Sequence, residues 1–151
     1  MKKKYVDIAF IYGVLAMIGG VFYREYPKIA LKGHDVIWAF IGTNPLSKVH
    51  GHLFVLGMFF FLILALITAR VNIEKDKNFN LFMLFYNLGL NITVIMMLIK
   101  GIKQLQLKEL TKAVERTLSI CAGLGHVMLG VGIILFFIIL RKALKDKEIA
   151  N

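Results

Sequence analysis

Residues 49–69 read VHGHLFVLGMFFFLILALITA. Two histidines stand at the head of an apolar run long enough to cross a bilayer. A helix rises about 1.5 Å per residue, so roughly 20 residues span the hydrocarbon core. Three further runs share this character: Tyr5 to Tyr23, Phe79 to Ile99 and Thr117 to Leu140. The chain of 151 residues is 58% hydrophobic, with a mean hydropathy of +0.73. That exceeds the apolar share of a soluble domain and assigns the excess to membrane spans. The expected fold is all-α and integral to the membrane. It is a single four-transmembrane-helix up-and-down bundle with spans at about 5–23, 49–69, 79–99 and 117–140.

Charge is segregated from these runs. The net charge is +10, but the basic residues flank the spans, where they set topology and meet anionic headgroups. No soluble basic face remains, so nucleic-acid binding is not expected. The lone Cys121 excludes an internal disulfide and lies within a span, as a small packing residue.

Met1 to Lys4 followed by an apolar run also fits a signal peptide, but no A-x-A-like cleavage site follows, and Phe22-Tyr23-Arg24-Glu25-Tyr26 does. Ala9, Gly13, Ala16 and Gly20 share one helical face, which lets a neighbouring helix come close. The connector from Arg24 to Lys48 contains Pro27, Pro45 and several turn formers around an apolar centre with Trp38. It is expected to lie on the bilayer surface. Asn80, Asn87 and Asn91 fall on one face of span three, expected to point into the protein. Lys100 to Arg116 reads as a basic connector whose Ile102, Leu105, Leu110 and Val114 rest at the interface, and Arg141 to Asn151 as a charged tail. Four spans put both termini on one side. Lys and Arg number 10 in the short segments of that side and 9 in the longer segments opposite, which favours cytoplasmic termini by density.

The histidines carry the chemistry. With cytoplasmic termini, His50, His52 and His126 all fall in the outer half of the membrane. Spans two and four run parallel, on a diagonal of a sequential bundle. Two imidazoles facing one another there make a ligand pair for haem b, with His126 and His52 on the haem iron. Gly57 shares the face of His50, and Gly123 and Gly130 share that of His126, a smooth surface for a porphyrin. Arg24 and Lys48 are candidate partners for its propionates. Measured from run midpoints, His52 and His126 differ in depth by about 7 Å. A copper or zinc ion shared by His50, His52 and His126 requires unwinding around Gly51. His34 reads as an exposed connector residue. Packing of helices explains the glycines and asparagines equally well.

The run from His50 to Phe61, HGHLFVLGMFFF, resembles the histidine-bearing second helix of haem–copper oxidase and nitric-oxide-reductase large subunits. That resemblance implies His52 as a low-spin haem ligand. The chain has only four spans and no match to the three further histidines of those oxidases. The whole chain resembles a family of small, functionally uncharacterised bacterial four-span membrane proteins. The likeness rests on Phe22-Tyr23-Arg24-Glu25, the His-x-His-x4-Gly-Met block, Phe85-Tyr86-Asn87-x-Gly89-Leu90 and Gly123-Leu124-Gly125-His126. It implies the fold and an inner-membrane location.

The expectation is therefore a small b-type haem protein for electron transfer, redox sensing or haem handling. The alternative is a non-catalytic accessory subunit or small-ligand carrier. Membrane lipids are the expected partners, while a redox partner or quinone and a homo-oligomer stay open. No nucleophile–base pair, phosphate loop or paired carboxylate is visible, so hydrolysis is not expected.

Overall fold

The computed structural model describes residues 3–32, 42–106 and 111–150. Four helices within them are long and apolar enough to cross a membrane: α1 (Lys3–Ala30), α2 (Leu46–Arg70), α3 (Phe79–Leu105) and α4 (Lys112–Ala150). This is the all-helical, multi-pass architecture expected. In lipid a backbone must satisfy its own N–H and C=O groups, and long apolar runs do so as helices. Each helix outlasts its apolar run. The 39 residues of α4 extend about 58 Å, well beyond a hydrocarbon core of about 30 Å. The tail read as merely charged is thus helical as far as Ala150.

Antiparallel packing joins α1 to α2, α2 to α3 and α3 to α4, while α2 and α4 run parallel. Small residues set the closest approaches. Ala9, Gly13 and Ala16 of α1 are buried, with Met58 of α2 against Gly13. Between α3 and α4 the backbones themselves touch. A Cβ on Gly89 would collide with the backbone nitrogen of Leu129. One on Gly132 would lie 2.8 Å from the Cα of Tyr86, and one on Gly125 2.9 Å from the nitrogen of Thr93. An aromatic cluster then ties α2 across to both helices. Phe60 stacks on Tyr86 at 4.1 Å and meets Phe136 edge-on at 5.3 Å. Each such pair adds about 0.5–1.5 kcal/mol beyond the area it covers.

Polar contacts gather the start of α1, the turn after α2 and the far part of α4 at one end of the bundle. The Tyr5 hydroxyl donates to Glu74, Lys4 pairs with the same carboxylate at 2.8 Å, and Lys142 pairs with Asp76 at 2.9 Å. At the other end Asn44, 2% exposed, donates to the Gly101 carbonyl at 3.1 Å. The connector is therefore pinned to α3 where it rejoins α2. Its expected surface segment, with His34 and Trp38, lies outside the described residues.

Two expectations need correction. The amide stripe of α3 does not point uniformly inward: Asn87 is half-buried, whereas Asn80 and Asn91 are exposed. Asn91 tolerates this because both its N–H bonds are used, on the Asn87 carbonyl and the Tyr12 hydroxyl. The face expected to rest at the interface is instead partly internal. Leu105 is fully buried and Ile102 packs on the core, because α3 stays helical to Leu105. Leu110 lies outside the described residues, and Val114 is exposed.

Candidate functional site

His52 closes the first α-helical part of α2, Leu46–His52. The next seven residues, Leu53–Phe59, form a π-helix before α-helix resumes at Phe60. The Phe60 N–H reaches back five residues to the Val55 carbonyl, the mark of the wider turn. Tyr86 of α3 donates its hydroxyl to the Leu56 carbonyl at 2.8 Å within this segment. A side chain entering the ladder is a recognised cause of such local widening.

The structure brings His52 and His126 together. Their ring centres are 6.5 Å apart and the planes cross at 84°. The two side chains are held alike. His52 Nδ1 lies 2.9 Å from the Lys48 carbonyl, and His126 Nδ1 lies 2.8 Å from the Ala122 carbonyl, each one turn earlier. A carbonyl only accepts, so each Nδ1 carries a proton and donates it. A neutral ring then keeps the Nε2 lone pair for a ligand.

The anticipated depth mismatch is absent, and α3 serves as the ruler. Leu46 sits against Gly101 and the Leu56 carbonyl against Tyr86, so His52 falls opposite the region of Ile92. Gly125 sits against Thr93, which puts His126 at the same height. Docking of α4 through its glycines sets its level, and the midpoint of its apolar run does not.

The glycines divide by face. Among the described residues a Cβ on Gly123 or Gly130 would meet nothing within 4 Å, so the surface flanking His126 is open there. Gly57 is different, and its expected role as cofactor room is overturned. A Cβ there would lie 2.6 Å from Tyr12 Cγ, because the Tyr12 ring of α1 already fills that notch.

His50 turns toward α1. Its ring stacks on Tyr23 with centres 6.2 Å apart, beside Gly19 and Gly20. Its Nδ1 is buried with no hydrogen-bond partner among the described residues. The helix continues unbroken through Gly51, so His50 and His52 diverge and a three-histidine ion site does not form. No group of three or more His, Cys, Asp or Glu side chains suited to a metal occurs among the described residues. Arg24 is exposed and bound to Glu25 at 2.5 Å. Lys48 is exposed, one turn before His52.

Sequence reasoning missed Tyr12. This residue, 6% exposed, donates to Asn87 Oδ1 at 3.1 Å, accepts from Asn91 Nδ2 at 2.9 Å and stacks on Phe61. The signal was available: a tyrosine among small residues inside a span needs a partner for its hydroxyl, and span three offers amides.

The chain belongs to the family described as Protein of unknown function (DUF2871), whose model matches residues 1–143. The expectation of a small uncharacterised family is thereby met. No curated protein and no solved structure matches the chain, so the oxidase likeness rests on its twelve residues alone.

Proposed function

We propose that this DUF2871 member is a small membrane-embedded b-type haem protein, in which His126 and His52 would hold the haem iron. The observation that carries this reading is the His52–His126 pair, with ring centres 6.5 Å apart and both Nδ1 atoms tied to backbone carbonyls. If both imidazoles bound one iron at about 2 Å from opposite sides, their ring centres would lie roughly 6 Å apart, close to the 6.5 Å seen here, which supports this reading. The Lys48 and Ala122 carbonyls fix the tautomer and hold each ring in place. Beside His126, Gly123 and Gly130 carry no side chain, and among the described residues nothing lies within 4 Å of where their Cβ atoms would be. Haem would supply one-electron chemistry there, which suits electron transfer, redox sensing or haem handling. We place the protein in a bacterial inner membrane with cytoplasmic termini, on the density of short basic segments at that end.

The test is an absorption spectrum of protein made with ample haem, oxidised and then reduced with dithionite. Two neutral imidazole ligands should give sharp reduced visible bands. His126→Ala should abolish them, His34→Ala should leave them intact, and His50→Ala should have at most an intermediate effect. Colourless protein, or a full spectrum in His126→Ala, would overturn the haem reading. A cofactor-free accessory module or small-ligand carrier would then stand in its place, held together by the Tyr12–Asn87–Asn91 network.

A further inference from the structure

A cleft of about 530 Å³ opens at the other functional height of the bundle, remote in sequence from both histidines. Its walls come from the last residue of α2, the turn that follows and the far part of α4. Arg70, Lys75, Lys142 and Lys147 line it, and Asp76 and Asp146 are the acids. Four cations against two carboxylates leave a net charge of +2. One acid is already engaged. Asp76 accepts from Lys142 at 2.9 Å through one oxygen and from the Asn78 backbone N–H at 2.9 Å through the other. The hydrogen bond from Lys142, helped by that backbone N–H, holds the Asp76 carboxyl below the ordinary carboxylate range. Asp146 is the one other carboxylate of the lining, and Arg70, Lys75 and Lys147 share it with Lys142.

The cleft is also partly apolar. Half-buried Val71 and Ala143 give it an apolar wall over the buried Ile139, and Asn72 completes the lining. Its position matches a membrane boundary. Arg70 directly follows the apolar run ending at Ala69, and Lys142 lies two residues beyond Leu140.

We propose that this cleft binds an anionic phospholipid, with the phosphate on Arg70, Lys75 and Lys147 and the glycerol and upper acyl carbons against Val71 and Ala143. Cations between transmembrane helices supply headgroup attraction, and a free phosphate has no use for the apolar wall. Lys142 serves this site indirectly, by keeping Asp76 from competing for the other cations.

The experiment uses delipidated full-length protein in a neutral detergent, titrated with dioleoylphosphatidylglycerol or dioleoylphosphatidylcholine. Bound lipid is read by native mass spectrometry and melting by a thermal shift. Phosphatidylglycerol should bind more tightly and raise the melting temperature more. Each cation near the surface is worth about five-fold in affinity. Lys75→Gln combined with Lys147→Gln should therefore weaken phosphatidylglycerol roughly 25-fold and leave phosphatidylcholine unchanged. Arg141→Gln combined with Lys145→Gln, on α4 but outside the cleft, removes the same two charges and should change neither. Equal binding of the two lipids overturns the proposal. So does an equal loss in this second double variant, which would mean diffuse attraction to a basic surface. Inorganic phosphate reproducing the full thermal shift at constant ionic strength would identify a free-phosphate site and overturn the lipid assignment.

Discussion

Along α4, Gly125 and Gly132 face α3 with no room for a methyl group, whereas Gly123 and Gly130 meet nothing within 4 Å among the described residues. The two pairs have the same seven-residue spacing and differ only by a two-residue offset. One pair lets two backbones touch, and in lipid that close approach is a main source of helix association. The other pair keeps a surface bare beside His126. The same residue type at the same period therefore serves adhesion on one side of a helix and vacancy on the other. Only the neighbour decides which.

Three substitutions probe that contrast. The largest effect belongs to the seam. Gly89→Ala would force the α3 and α4 backbones apart at Leu129 and Gly125, and overpacking of this kind costs about 1–3 kcal/mol. Unfolding in mixed detergent should show a clearly lowered midpoint, and an unchanged midpoint would mean that the seam is not tight.

The next effect belongs to the strut from α3 to the wide segment of α2. Tyr86→Phe removes the hydrogen bond to the Leu56 carbonyl, worth about 1 kcal/mol, and keeps the ring stacked on Phe60. Stability should fall modestly. Hydrogen exchange should rise in residues 53–59 and stay constant in the α3–α4 seam. Uniform change across both regions would show that the wide segment does not depend on Tyr86.

The smallest effect belongs to the open face. Gly123→Ala adds a methyl group to empty space and relieves a helical glycine, a gain of up to about 1 kcal/mol. The melting temperature should hold or rise slightly. A marked fall would place an unseen neighbour on that face.

The spans were legible because lipid demands long apolar runs and leaves little else to fit. The buried face of α1 was legible too, since Ala9, Gly13 and Ala16 repeat at helical spacing. Pairing of His52 with His126 followed from a shared leaflet, but their common height did not, because hydropathy locates a run only to within several residues. Gly57 misled for a related reason: helical periodicity names the face, and only the partner helix reveals that the Tyr12 ring sits on it. Asn91 shows the same limit. Its periodicity grouped it with Asn87, whereas its hydrogen bonds, one back along α3 to the Asn87 carbonyl and one across to the Tyr12 hydroxyl, allow it to remain at the edge. The π-helical segment left no trace in a run as uniform as LFVLGMF, since its wide turn is tied to a hydroxyl that belongs to α3.

That wide segment makes the orientation of His52 a matter of chain length. A π-helical stretch within an α-helix is equivalent to spare chain accommodated without breaking the rod. Each residue of an α-helix turns the face by about 100°. Deleting one residue between Leu53 and Phe59 would let the ordinary ladder close and leave both flanking faces nearly where they are, whereas tightening the same residues without a deletion would swing everything before them relative to everything after. In the tightened segment Phe60 and Phe61 would stay in the aromatic cluster, while His52 would rotate by about 100° away from α4 with no histidine altered. In this protein the meeting of two imidazoles is set by arithmetic along the backbone as much as by the identity of the side chains.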